Sequence, residues 1–149
     1  MWWHIVFLMI NKLKVLVFGN ILINKDNIVL RIMPNLKKEF PEIEFKELDA
    51  NEDLQKQGRK LRIMDVAENL DKVKEIKISS LEEFNRILTN KVYSMHDFDL
   101  GYNLKLLKKM NLIDEVEIIC VPMNIKEKEA LAQTQLILRK WVAQLMQGS

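Results

Sequence analysis

The chain has 149 residues, 48% of them hydrophobic and 30% charged, which is enough for one globular domain with a sizeable core. Its formal charge of +2 comes from lysines interspersed with glutamates, so there is no basic stripe of the kind nucleic acid requires. Cys120 is the only cysteine, which excludes an internal disulfide and a cysteine metal cluster and fits a reducing cytoplasm.

Met1–Ile10 is nearly all apolar, with Trp2, Trp3, Phe7 and Leu8. It is too short to span a bilayer and lacks a basic leader or a small-residue cleavage site. It reads as an extra edge strand, a hydrophobic interface arm or a non-native extension, and its exposed form would favour self-association. Residues 1–12 are therefore set apart from a single domain over 13–147. Lys14–Phe18 is an apolar run that predicts a short central strand, followed by Gly19-Asn20 and a loop to Asn27. Ile28–Lys38 has helical spacing, with Leu30, Met33 and Phe40 towards one face. Pro34 is expected to kink that helix or start a second turn, and Pro41 to end the region.

Ile43–Leu48 alternates like an edge strand. Ala50–Lys60 is polar and predicts a short helix holding Leu54 against the sheet. Leu61–Met64 reads as a buried strand that Asp65 stops, with Val66-Ala67-Glu68-Asn69 as a turn and Glu68 able to face the same pocket. Val73–Ile78 alternates as a partly exposed strand. Ser80 and Glu83 have capping-box spacing for a helix through Leu88. Asp97 or Asp99 is placed to cap a helix carrying Leu104, Leu107 and Met110. Val116–Val121 is a buried strand ended by Pro122, which makes Cys120 an inert core thiol. Asn124 and Glu127 are placed to cap a last helix bearing Ala130, Leu131, Ile137, Leu138, Trp141, Val142, Leu145 and Met146. Strands alternating with helices predict an α/β fold, a three-layer α/β/α sandwich around a mostly parallel mixed sheet.

Three polar residues fall where apolar strands end: Asp26, Asp65 and His96. In an open α/β sheet such ends gather along one edge, where ligands bind. Two carboxylates and an imidazole also form a ligand set for a divalent metal. Asp26 reads either as the N-cap of the following helix or as an oxygen ligand. Asp65 follows four residues, Leu61–Met64, that read as buried, so its charge must be hydrogen-bonded, paired or metal-bound. His96 lies in the polar break Tyr93-Ser94-Met95-His96-Asp97, where Asp97 could orient the ring. The other histidine, His4, lies apart in the N-terminal run. Gly19-Asn20 lacks a phosphate-binding glycine pattern, and no serine carries the glycines of a nucleophile elbow.

These segments, in this order, resemble the nickel–iron hydrogenase maturation endopeptidases, from about Lys14 to Leu145. Val15-Leu16-Val17-Phe18-Gly19-Asn20 is similar to the family's first strand and Gly-Asn loop, and Lys25-Asp26-Asn27 to the segment with its first acidic ligand. Ile63-Met64-Asp65-Val66-Ala67 resembles the segment with the second acidic ligand. Ser94-Met95-His96-Asp97 resembles that with the histidine, and Cys120-Val121-Pro122 a late strand closed by proline. The resemblance implies a divergent, archaeal-like member with a phosphorylase/hydrolase-like version of the sandwich. It also implies a cytoplasmic endopeptidase that removes the C-terminal extension of a nickel-loaded hydrogenase large-subunit precursor. Asp26, Asp65 and His96 would be both its catalytic residues and its metal ligands. Nickel would be carried by the precursor, and zinc or cadmium could replace it in a crystal. The pattern departs from the family at Lys25, where a second acid is usual, and at Val29, where a glycine is frequent. Those departures keep a non-catalytic metal-binding or hydrogenase-interaction domain open. A small-ligand or nucleotide enzyme using Gly19-Asn20 is the remaining alternative.

Overall fold

The computed structural model describes Trp2, Trp3, Val6 and residues 12–18, 28–48, 54–89, 94–95 and 98–147. Among the described residues, six strands form one sheet: β1 (Leu13–Phe18), β2 (Ile43–Leu48), β3 (Lys60–Glu68), β4 (Lys74–Ile78), β5 (Ser94–Met95) and β6 (Glu115–Pro122). Their order is β2-β1-β3-β6-β4, with β5 pairing β3 off that path. The pairs β1–β2, β1–β3 and β3–β6 are parallel, while β4 on β6 and β5 on β3 are antiparallel.

Among the described residues, four helices cover the sheet: α1 (Ile28–Glu39), α2 (Leu81–Thr89), α3 (Phe98–Lys109) and α4 (Glu127–Gln147). Alternation along β1 explains why both faces need cover. Leu13, Val15 and Val17 pack with Ile32, Leu36, Leu138 and Trp141 under α1 and α4. Leu16 and Phe18 pack with Phe84, Leu104 and Leu107 under α2 and α3. The result is the mostly parallel, three-layer α/β/α sandwich the alternation implies. Among the described residues, no helix is long and apolar enough to cross a membrane.

Several elements differ from expectation. Helix α1 is unbroken from Ile28 to Glu39 although Pro34 lies inside it. Pro34 is on the exposed face, where water can satisfy the carbonyl its missing amide leaves. The buried stripe of α1 is Ile28, Val29, Ile32, Met33 and Leu36, and Leu30 is only half-buried. Strand β3 does not stop at Asp65 but runs to Glu68, so Val66 and Ala67 are buried strand residues rather than a turn. Asp99 lies within α3 and Asp97 lies outside the described residues. Helix α4 begins at Glu127, so Lys126 rather than Asn124 flanks it, and the Lys126 carbonyl accepts the Ala130 amide. Met110 is exposed. In the N-terminal run, Trp2, Trp3 and Val6 are helical and exposed, which excludes the edge-strand reading for them.

The termini of α2 and α3 follow local chemistry. The Ser80 hydroxyl accepts the Glu83 amide at 3.1 Å, and the Glu83 carboxylate accepts the Ser80 amide at 3.3 Å, which closes the capping box. Helix α3 ends with Asn111 in the left-handed region, φ 58°. There the Leu112 amide donates to the Leu107 carbonyl and the Asn111 amide to that of Lys108, a Schellman arrangement. Ser80→Ala is expected to lower the thermal midpoint by roughly 2–4 °C in a calorimetric scan. Hydrogen bonds from the backbone amide and hydroxyl of Ser80 hold the Glu83 carboxyl below its usual range. The cap's contribution should therefore be complete above that range and be lost as pH falls through the lowered value.

Candidate functional site

Asp65 occupies the junction of three strands. β1 ends at Phe18, which is the register partner of Asp65. On the other flank, β6 pairs with β3 from Lys60 to Ala67, placing Cys120 opposite Asp65. β5 then occupies the flank that β1 has left, with Met95 opposite Ala67 and Ser94 opposite Glu68. The sheet thus remains filled around β3 while β1 stops, and Asp65 lies at that step.

The surroundings explain how an acid is tolerated in an apolar strand. Asp65 is 2% exposed. The Val66 amide, one residue past the last β1–β3 pair, donates to Asp65 Oδ1 at 2.9 Å. The carboxylate thereby satisfies the Val66 backbone donor, and the bond orients the acid. Hydropathy alone reads the carboxylate after Leu61–Met64 as a stop. Here pairing with β6 carries the strand past it.

Cys120 is buried beside this acid, and burial, followed by the Asp65 charge, pushes its thiol up to about 12. At neutral pH it is a thiol, not a thiolate nucleophile, in agreement with an inert core role. Iodoacetamide at pH 8 should leave Cys120 unmodified in the folded protein and modify it fully in denaturant, as read by intact mass.

Beyond Asp65, the C-terminal ends of β3 and β6 border a depression of about 370 Å³ lined by Ala67, Glu68, Asn69, Leu70, Met123 and Asn124. It lies at the edge where α/β sheets bind ligands. The Met123 amide reaches the Ala67 carbonyl at 3.3 Å and ties the segment after β6 to the end of β3. Asn69 has φ 62°, a left-handed conformation that asparagine tolerates better than most residues. Glu68 is exposed at the end of β3 and lines this depression. In sequence, Asn124 reads only as a helix cap and Asn69 only as a turn residue, not as site residues. Their only signal is an amide side chain just past each of two apolar strands.

Of the three residues expected to form the site, Asp65 alone is described. Asp26 and His96 lie outside the described residues. The nearest described neighbours in sequence are Ile28, the first residue of α1, and Met95 in β5. Among the described residues, no group of three or more His, Cys, Asp or Glu side chains is arranged to hold a metal ion. The one described member suits such a role chemically, since a buried, oriented carboxylate is an oxygen donor for a divalent cation.

The fold and the position of Asp65 define a class: an α/β/α sandwich with a buried acid where the strands of a mostly parallel sheet end. No protein-family model matches the chain, and no curated protein matches it. Two solved structures do. One is the NiFe-hydrogenase maturation protease HybD from Thermococcus kodakarensis, with 18% identity over 89% of this chain and 99% of that one and a TM-score of 0.57. The other is an endopeptidase from Escherichia coli, solved in solution, with 20% identity over 86% of this chain and 93% of that one and a TM-score of 0.52. At these identities the likeness establishes a shared fold, and it does not single out an archaeal branch.

Proposed function

We propose that the chain is a metal-dependent endopeptidase that removes the C-terminal extension of a nickel-loaded nickel–iron hydrogenase large-subunit precursor. The observation that carries this reading is the buried carboxylate of Asp65 at the step between β1 and β5, in a fold shared with a NiFe-hydrogenase maturation protease and an endopeptidase. Residues 13–147 form the catalytic domain and 1–12 an extension of it, and the protein acts in the cytoplasm.

In this reading Asp26, Asp65 and His96 recognise the nickel that the precursor carries. Two carboxylates and an imidazole are donors that nickel accepts. At such a site the ion supplies Lewis-acid polarisation of the scissile carbonyl. Asp65 is held ready by the Val66 amide, so its orientation does not have to be acquired when the substrate arrives. The depression bounded by Glu68, Asn69, Met123 and Asn124 receives the peptide next to the cleaved bond. Its amide side chains offer hydrogen bonds to an extended backbone, and Leu70 and Met123 offer apolar contact.

The test compares nickel-loaded with nickel-free precursor, incubated with the full chain and followed by gel shift of the large subunit. Processing of the loaded form alone supports the reading. Equal processing of both forms, or of neither when the loaded precursor is known to be processable, contradicts it.

A further inference from the structure

We propose that the opposite edge of the sheet carries a second site, which binds a compact polyvalent oxyanion of the phosphate class. The inference does not depend on the peptidase reading. It rests on a cleft of about 200 Å³ lined by Lys12, Lys14, Lys60 and Arg62 with apolar walls that include Leu13 and Leu145. Among the described residues four cations and no carboxylate line this cleft, Lys14 from the Leu16–Phe18 face of the sheet and Lys60 and Arg62 from the Met64–Val66 face.

The cleft has a cause in the strand register. β1 pairs with β2 along its whole length, from Leu13↔Ile43 to Phe18↔Leu48. β3 likewise pairs with β6 from Lys60 onward. Between β1 and β3, however, the register runs only from Leu16↔Ile63 to Phe18↔Asp65. The two strands therefore part at their N-terminal ends, between Leu13–Val15 and Lys60–Arg62. A sheet edge opened in this way is a concavity of the kind that binds anions. The β3 residue of the cleft nearest to Asp65 is Arg62, three residues or about 10 Å along the strand, and the cleft opens at the other end of β3, so it is separate from the candidate peptidase site.

The four cations are not equally committed. Lys60 is 3.4 Å from the Glu117 carboxylate, and Arg62 is 3.7 Å from it. These contacts hold the two cations in place and partly offset their charge. Lys14 donates to Gln57 Oε1 at 2.8 Å, a neutral partner. Among the described residues, neither Lys12 nor Lys14 forms an ion pair. The apolar walls lower the local dielectric and strengthen attraction for an anion. The volume is below the roughly 300–1,000 Å³ of cavities that hold drug-sized ligands, which favours a small oxyanion over a nucleotide.

The test is isothermal titration of the full chain with inorganic phosphate and with pyrophosphate at constant ionic strength, with sodium chloride as control. The expected result is saturable one-to-one binding, tighter for pyrophosphate, and weakened by about tenfold or more in the Lys12→Gln/Lys14→Gln double variant. That variant leaves Lys60 and Arg62 in place, so Glu117 keeps its partners, and a melting curve checks its fold. The charge-retaining Lys14→Arg variant should still bind, and it serves as the readout if the double variant does not fold. No saturable heat above the chloride control would overturn the proposal. So would equal affinity in the double variant, loss of binding in a folded Lys14→Arg variant, or displacement of pyrophosphate by an equimolar acidic peptide.

Discussion

Asp65→Asn is expected to reduce precursor processing by at least about 100-fold while the protein stays folded. The substitution is nearly isosteric, and the amide oxygen of asparagine can still accept the Val66 N–H that Asp65 Oδ1 accepts at 2.9 Å. It therefore preserves the backbone bond at the end of β1 and removes the negative charge that the peptidase reading requires. Asp65→Ala is a poorer test, because it strands a buried amide and confuses a loss of chemistry with a loss of fold. The measurement is the initial rate of processing of a nickel-loaded precursor, alongside far-ultraviolet circular dichroism. Unchanged rates in a folded Asp65→Asn variant would remove Asp65 from the site. The acid would then serve only to satisfy the Val66 amide.

The largest effect on stability is expected at Trp141. It is fully buried, packs in the layer between the sheet and α1, and donates its indole N–H to the Glu75 carboxylate at 2.8 Å. Lys140 also contacts Glu75, and Gln133 accepts the Val73 amide at 2.8 Å, so α4 is fastened at two points to the start of the edge strand β4. Trp141→Ala removes the largest fully buried side chain and leaves a cavity, for an expected cost of about 3–5 kcal/mol. For a chain of this length that corresponds to a fall in thermal midpoint of roughly 6–20 °C. Trp141→Phe keeps most of the volume but loses the bond to Glu75, and should cost about 1–2 kcal/mol. Equal losses for both variants would place the stabilisation in the hydrogen bond rather than in the packing.

The sequence reveals elements whose signals are local and conceals those that depend on neighbours. The apolar run at Lys14–Phe18 and the alternation at Ile43–Leu48 identify a central and an edge strand because burial on two faces or one is written into each segment. Ser80 and Glu83 identify a helix start because the partners are three residues apart. Strand β3 is misread beyond Met64 because an acid breaks the apolar pattern. What continues the strand is pairing with Cys120, Val121 and Pro122, more than fifty residues away in sequence. Helix α1 passes through Pro34 because the proline faces water, a matter of orientation rather than spacing. Thr134 is buried among the apolar residues of α4, where its polarity hid it. The partial register between β1 and β3, which opens the basic cleft, has no signature in either strand alone. At the candidate site the sequence marked Asp65 for burial with a polar role, and its 2% exposure and bond to Val66 agree. The asparagines around the adjoining depression come together only through the loops that follow β3 and β6.

The central claim is that Asp26, Asp65 and His96 act together on a nickel-loaded precursor. It is tested most directly by intact-mass spectrometry of that precursor after incubation with the wild-type chain and with a folded His96→Ala variant. Loss of the C-terminal extension with the wild type alone is the expected result. Processing by both proteins would contradict a role for His96. An intact precursor with both, when another preparation of the same substrate is processed by its own peptidase, would contradict the assignment of this substrate.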